Sequence, residues 1–190
     1  MQVIDNYLPA DQFKFLQDNV LAYEFPWFYQ QHVSLPPEDG NLITDPNAVE
    51  TFGYSHTVYD AETNYRGYFE MFEPLLYKLK QDIPTIKFTR IRLSMKTYKK
   101  GFTRENYNLP HVDYTSPHKT LIYYINTSDG PTWVFNEKFT GFPEPKQYTV
   151  KDKIDPVENR MLFIDGLQYH TASNPIDNDR RVIVNINYYD

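Results

Sequence analysis

Three side chains in this sequence have the types and the order of a metal-binding set. His111 and Asp113 are separated by one residue, and His170 follows later in the chain. Side chains alternate between the two faces of a strand, so we expect His111 and Asp113 to project on the same side. Two histidines and a carboxylate leave half of an octahedron open, which suits a ferrous centre that holds a cosubstrate and dioxygen together. The pattern predicts metal ligation by His111, Asp113 and His170.

Other interpretations of this triad stay open at the level of sequence. The same ligands with a bound water would also make a catalytic zinc site, as in a hydrolase. A strand with polar surface residues, in a binding module without metal, is the simplest alternative. The remaining histidines lack a partner at ligand spacing: His32 is uninformative, and we interpret His56 and His118 as solvated or as neighbours of the metal ligands.

A pair of arginines opens the last predicted strand. The even positions 182–188 of that strand are apolar, whereas its odd positions include Arg181, Asn185 and Asn187. The odd face is therefore typical of a polar cavity wall, and Arg181 is expected to point with the metal site. A planar guanidinium is well suited to a bidentate clamp on a carboxylate. A rim salt bridge is the alternative role for Arg181, and Arg180 is the alternative clamp.

Composition limits the class of protein. At 190 residues the chain fits one domain with a self-sufficient core. Its formal net charge of −6 provides no general basic surface for nucleic acid. Because the chain has no cysteine, metal ligands must be histidines and carboxylates. Neither a signal peptide nor an apolar run of membrane-spanning length is evident, so a cytoplasmic protein is expected.

The periodicity predicts a mainly β (α+β) fold: a double-stranded β-helix, or jelly roll, with N-terminal helices packed outside it. Within one domain, residues of about 1–85 are predicted to be helical or loop, and about 86–190 to form the jelly-roll core. Helices are expected within 3–23 and 64–81, with Pro74 kinking the second or starting a new turn. Segment 24–57 is predicted to be a loop with at most one short strand. Beyond the strand at 111–113, strands are expected at 90–95, 120–126, 132–136, 147–150, 161–164, 168–172 and 181–189.

Taken in order, these motifs resemble the iron(II)- and 2-oxoglutarate-dependent dioxygenases, in their prolyl-hydroxylase-like branch. The resemblance covers about residues 93–188 and rests on the triad, on Pro175 and on Arg181. The supporting stretches are 96–101, 121–126, 129–135 and 159–163. Two positions depart from the usual pattern: Asp129 replaces the first glycine of a Gly-Gly pair, and Ile183 replaces a small or hydroxyl residue.

The resemblance implies roles for the matched residues. The triad would bind iron(II), and no catalytic residue beyond the metal ligands is implied. Arg181 would hold the distal carboxylate of 2-oxoglutarate, helped by the hydroxyls of Tyr98 and Tyr124. The activity would be a hydroxylation that consumes dioxygen and converts 2-oxoglutarate to succinate and carbon dioxide.

The same resemblance bears on partners and source. A small molecule or a protein side chain would be the substrate, whereas the acidic composition disfavours nucleic acid. No membrane association is expected, and the oligomeric state is left open. The resemblance is compatible with a bacterial or viral origin. The expected location is the cytoplasm of a bacterial or virus-infected cell.

Overall fold

The structure, a computed structural model, describes residues 1–33 and 43–190. Within these residues the chain forms two α-helices and eleven strands. The helices are α1 (Ala10–Val20) and α2 (Glu73–Asp82), the second preceded by a 3-10 turn at Phe69–Phe72. The strands are β1 (Gln2–Ile4), β2 (Phe28–Gln30), β3 (Gly53–Asp60), β4 (Tyr65–Arg66), β5 (Lys87–Thr97), β6 (Lys119–Tyr124), β7 (Thr132–Lys138), β8 (Val150–Ile154), β9 (Met161–Asp165), β10 (Gln168–Ala172) and β11 (Arg180–Tyr189).

Two antiparallel sheets make up the β-structure. The larger sheet has the order β1-β9-β6-β11-β5-β3-β2, with β4 paired to β3, and the smaller sheet has the order β10-β7-β8. The long strand β11 lies at the centre of the larger sheet and pairs with β5 on one side and β6 on the other. This arrangement confirms the predicted mainly β fold of the jelly-roll class.

The outer face of the larger sheet packs against the helices. Val182, Val184 and Ile186 from β11 belong to the same buried cluster as Leu16 from α1 and Leu79 from α2. The even positions of β11 are thus committed to the main core, as the alternation predicts. Its odd positions are left to face the smaller sheet, where the candidate site lies.

The N-terminal part of the chain contributes more β-structure than the sequence predicts. Strands β1 to β4 come from it, and β3 pairs with β5 along much of its length. Part of the predicted loop 24–57 therefore forms β2 and the start of β3, while residues 34–42 lie outside the described residues. The pairing with β5 accounts for strand β3, because β-propensity depends on tertiary context.

The helix and strand boundaries also shift. The predicted helix 64–81 begins only at Glu73, and Pro74 occupies its first turn, where the missing N–H costs no helical hydrogen bond. The first helix is limited to Ala10–Val20, and the strand predicted at 147–150 lies at Val150–Ile154. Among the described residues, no helix has the length and apolar character to cross a membrane.

Asn159 joins the N-terminal segment to the larger sheet. Its side-chain oxygen accepts hydrogen bonds from the Leu8 amide (2.9 Å) and the Tyr123 hydroxyl (2.6 Å). Its side-chain amide donates to the Leu8 carbonyl at 2.9 Å. The residue has a left-handed backbone with φ of 59°, which asparagine tolerates better than most residues. One buried side chain therefore satisfies three partners.

We expect Asn159→Ala to lower the free energy of unfolding by roughly 2–4 kcal/mol, because it leaves buried polar groups without partners. Asn159→Gly should lose about 1 kcal/mol less, because glycine adopts the left-handed backbone without strain. Urea denaturation measures both, with the exposed Asn136→Ala as control. Equal stability of Asn159→Ala and the control would contradict this account.

Candidate metal centre and the cavity around it

The structure brings the predicted triad together. One nitrogen from each histidine and one carboxylate oxygen of Asp113 all lie within 4.8 Å of one another. The imidazole centroids of His111 and His170 are 5.0 Å apart. The segment 111–113 is not the strand that the sequence predicts: His111 forms an isolated antiparallel bridge with His170. Two reciprocal backbone hydrogen bonds of 3.0 Å hold that bridge and set the two imidazoles side by side.

The two histidines are oriented in the same way. The Nδ1 atom of His111 lies 3.2 Å from the Leu109 carbonyl oxygen, and that of His170 lies 3.0 Å from the Gln168 carbonyl oxygen. Because a carbonyl oxygen only accepts, each Nδ1 carries the proton and each Nε2 keeps its lone pair. The Nε2 of His170 is buried without a hydrogen-bond partner among the described residues. A metal ligand with the tautomer fixed through the other nitrogen has this arrangement.

Asp113 is surrounded by hydrogen-bond donors. Arg90 donates to its Oδ1 at 3.1 Å. Three residues donate to its Oδ2: Asn187 at 2.8 Å, and Asn185 and Thr120 at 3.2 Å each. The Asp113 side chain is only 7% exposed, so these contacts replace the water that an ionised carboxylate would otherwise need.

The electrostatics hold His111 and Asp113 in the forms that bind metals. Burial, and next the charge of the neighbouring His170, lower the pKa of His111 to about 4, so His111 is neutral near physiological pH. Burial alone would raise the pKa of Asp113, but His170 and Arg90 outweigh it, and the pKa lies below its usual range. Neutral imidazole and ionised carboxylate are the metal-binding forms. The donor set, which includes the buried Nε2 of His170 without a hydrogen-bond partner among the described residues, fits a divalent cation.

A second polar cluster lies in the same cavity. Arg181 is 1% exposed, and its Nη2 donates to the Thr132 hydroxyl at 2.7 Å. The Tyr124 hydroxyl donates to the same oxygen at 2.7 Å, and the Arg181 guanidinium carbon lies 5.6 Å from the Tyr124 ring centroid. The Nε of Arg181 is buried without a partner among the described residues. Since Thr132 already accepts two hydrogen bonds, its own proton is available to an acceptor in the cavity.

The other predicted clamp residues lie elsewhere. Arg180 donates to the Leu21 carbonyl at 3.5 Å, on the helix side of the sheet. The Tyr98 side chain is 53% exposed and does not line the cavity, because β5 ends at Thr97 and the chain turns away. The position that faces the cavity next to Arg181 is Lys96. Tyr98 is therefore not among the predicted residues that the structure brings together around the cavity.

Sequence reasoning missed several cavity residues. The cavity has about 590 Å³ of empty space, a volume that includes solvent at its open mouth. Its wall includes Arg90, Arg92, Ser94 and Lys96, the even positions of β5. Their alternation with apolar residues was visible in the sequence, but a polar face of a strand usually faces solvent. Only the pairing of β5 with β11 shows that this face points inward.

The two remaining histidines of interest are structural. His56 is 2% exposed, its Nδ1 donates to the Pro26 carbonyl at 2.9 Å, and its ring packs against Phe25 at a centroid distance of 5.0 Å. His118 is 5% exposed, and its Nδ1 lies 2.8 Å from the Ser116 carbonyl. Tertiary packing covers both side chains, so the solvated alternative is wrong, and the alternative that they neighbour the metal ligands stays a prediction.

Comparison with solved structures supports the predicted fold resemblance. No family model matches the sequence, and no curated protein matches it. A prolyl hydroxylase from Trichoplax adhaerens, in complex with a hypoxia inducible factor peptide, matches with a TM-score of 0.62 and 15% identity, covering 100% of this chain and 83% of that chain. A 2OG-Fe(II) oxygenase family oxidoreductase from Burkholderia pseudomallei matches with a TM-score of 0.60 and 12% identity, covering 98% and 83%.

An enzyme with a different reaction resembles this chain in structure to a similar degree. The non-heme α-ketoglutarate-dependent epimerase SnoN from nogalamycin biosynthesis matches with a TM-score of 0.58 and 12% identity, covering 99% of this chain and 77% of that chain. This chain thus has the fold of 2-oxoglutarate- and iron-dependent oxygenases, prolyl hydroxylases among them. At such identities the likeness establishes the fold, and the reaction has to be argued from the site.

The buried histidines predict how the metal-free protein responds to acid. Burial lowers the pKa values of His56, His111 and His118 in the folded state, whereas the unfolded chain has ordinary histidines with a pKa of about 6.5. From about pH 7 to about pH 4 the unfolded state therefore binds more protons, and the free energy of unfolding falls as the pH falls.

We expect His111→Gln to reduce that slope by up to about 1.4 kcal/mol per pH unit, the value for one proton. Urea denaturation of the metal-free protein across this pH range measures it. The exposed Asn136→Ala, which removes no titratable group, is the control and should leave the slope unchanged. A His111→Gln slope equal to that of the wild type would show that His111 is not neutral in the folded protein.

Proposed function

We propose that this protein is an iron(II)- and 2-oxoglutarate-dependent oxygenase that hydroxylates a substrate C–H bond. One observation carries the proposal: a triad of metal-binding form and a buried, hydroxyl-supported arginine share one cavity. His111, Asp113 and His170 would hold the metal, and Arg181 would hold the distal carboxylate of 2-oxoglutarate. The likeness to 2-oxoglutarate-dependent oxygenases agrees with this assignment.

The residues of the chain divide the work as follows. With iron(II) bound, the centre would couple the oxidation of 2-oxoglutarate by dioxygen to the oxidation of a substrate C–H bond. Leu109 and Gln168 fix the two imidazoles, and the donors around Asp113 fix the carboxylate. The three protein ligands leave the remaining coordination positions open for exchangeable ligands.

The clamp for the cosubstrate is preorganised. Thr132 receives hydrogen bonds from both Arg181 and Tyr124, which fixes the guanidinium and directs the Thr132 proton to an acceptor. A carboxylate is the acceptor that matches a guanidinium and a hydroxyl in this geometry. A hydrolase has no use for such a group, so Arg181 favours the oxygenase over a zinc enzyme with the same ligands.

The first experiment is an anaerobic titration of the iron(II)-loaded protein with 2-oxoglutarate, followed by the visible metal-to-ligand charge-transfer band. We expect the band in the wild type and its loss in His111→Ala, because chelation requires the bound metal. Iron binding without a band would overturn the oxygenase and favour the hydrolase. Absence of iron binding would favour a binding module.

The two adjacent arginines provide a matched test of the clamp. We expect Arg181→Gln to weaken 2-oxoglutarate binding by about 100-fold in the same titration, because a buried ion pair loses one partner. Arg180→Gln should change the affinity by less than about twofold, because its guanidinium faces Leu21. Iron content of both variants should equal that of the wild type. The reverse order of effects would move the clamp to Arg180.

A further inference from the structure

The cavity contains more positive charge than the proposed cosubstrate needs. Arg90, Arg92 and Lys96 line it from β5, and Arg181 lines it from β11, directly opposite Lys96 in the register. Asp113 is the only acidic side chain among the described residues that line it. Like charges this close in a partly enclosed site repel one another more strongly than in water.

Two of these cations have no side-chain partner in the described part of the chain. Arg90 is neutralised by Asp113 at 3.1 Å and lies over the Tyr114 ring at 4.9 Å. Lys96 is only 6% exposed, yet its ammonium group forms no hydrogen bond or ion pair with any described side chain or backbone group. Arg92, half-buried beside it, also lacks such a partner within 1–33 and 43–190.

A fold rarely retains unpaired buried cations without a use for them. A buried charge is strongly unfavourable unless it is paired or hydrogen-bonded. The pKa of the Lys96 ammonium lies well below its usual range because of its burial, and next because of the charge of Arg181 and Arg92. Burial also lowers the pKa of Arg92, followed by the charge of Arg90. The unliganded cavity is thus short of negative charge.

The proposed ligands do not remove this excess. A divalent metal and the doubly negative 2-oxoglutarate cancel each other. Among the described residues that line the cavity, four basic side chains against one carboxylate then leave an excess of basic groups. A cationic substrate would be repelled from it, and a neutral one would leave it uncompensated.

Strand order places Arg92 and Lys96 on a different side of β11 from the residues that orient Arg181. The partners of Arg181 lie toward one flank of β11, where Tyr124 comes from β6 and Thr132 from β7. Arg92 and Lys96 are on the other flank, on β5, with β3 beyond them. Arg92 and Lys96 therefore lie beside the clamp without contributing to the hydrogen bonds that hold it.

We propose that Arg92 and Lys96 bind an anionic group, a carboxylate or a phosphate, on the primary substrate of this enzyme. The inference rests on the proposed function, because it takes the ligand to be a substrate. The anion site itself consists of side chains of this chain, so it should bind an anion with or without metal. The partner is a small molecule or a single acidic side chain rather than a polyanion, because the chain as a whole has a net charge of −6.

The test uses matched acid and neutral probes. We would titrate the anaerobic protein loaded with iron(II) and 2-oxoglutarate by calorimetry with N-acetyl-aspartate and N-acetyl-asparagine, N-acetyl-proline and its amide, and glycerol 3-phosphate and glycerol. We expect at least one acid to bind about tenfold more tightly than its neutral partner, as for an ion pair in a partly buried site. The pair that responds distinguishes carboxylate from phosphate.

Variants assign the effect to β5. Arg92→Gln and Lys96→Gln should each remove about tenfold of the preference for the acid, whereas the exposed Arg66→Gln on β4 removes the same charge and should not. The 2-oxoglutarate band reports the clamp separately. Equal affinity within every pair, including no binding by either member, overturns the inference, as does a preference that survives in both β5 variants.

The anion site can also be tested without metal. If the charge-transfer band is absent, the proposed function fails, and the same titration on the metal-free protein still tests the anion site.

Thermal unfolding separates a binding role from a structural role. Removal of an unpaired cation should raise the Tm of unliganded Arg92→Gln, because it relieves repulsion. A lower Tm in Arg92→Gln and Lys96→Gln would assign these cations a structural role and contradict the proposal.

Discussion

The burial of the Asp113 carboxylate is the constraint on which the site depends. An ionised carboxylate this enclosed requires donors on several sides, and the donors come from three neighbouring strands: Arg90 on β5, Thr120 on β6 and Asn187 on β11. Their order is set by the register that pairs β11 with both neighbours. The position of Asp113 therefore requires the centre of the larger sheet to be formed correctly.

The two histidines of the triad are positioned in a different way from Asp113. His111 lies in a loop, and a single backbone bridge to His170 gives it the definition that a strand would otherwise provide. In both residues the carbonyl two positions earlier accepts the Nδ1 proton, so the backbone that positions each ring also selects its tautomer. A rigid ligand pair thus needs no additional acidic side chain, and the cavity keeps its positive balance.

The sequence was informative where a pattern is local. Alternation in β11 separated Val182 and Val184 from Arg181, and the spacing of His111 and Asp113 indicated the metal set. It failed where a partner strand decides the outcome. The irregular sequence before Gly53 does not reveal that β3 pairs with β5. Tyr98, in the 96–101 segment, lies past the end of β5. Lys96 takes the place next to Arg181 because strand ends are set by tertiary contacts.

Similar folds with different reactions show where specificity must come from. A prolyl hydroxylase and an epimerase both align with nearly the whole of this chain, so the jelly-roll fold alone does not determine the reaction. The even positions of β5 are placed to do so, because they face the open part of the cavity without contributing to the main core. Arg92 and Lys96 lack a charged partner among the described residues there, and unfavourable groups persist in folded proteins mainly where a function requires them. The substrate should therefore be sought among molecules whose charge completes this wall.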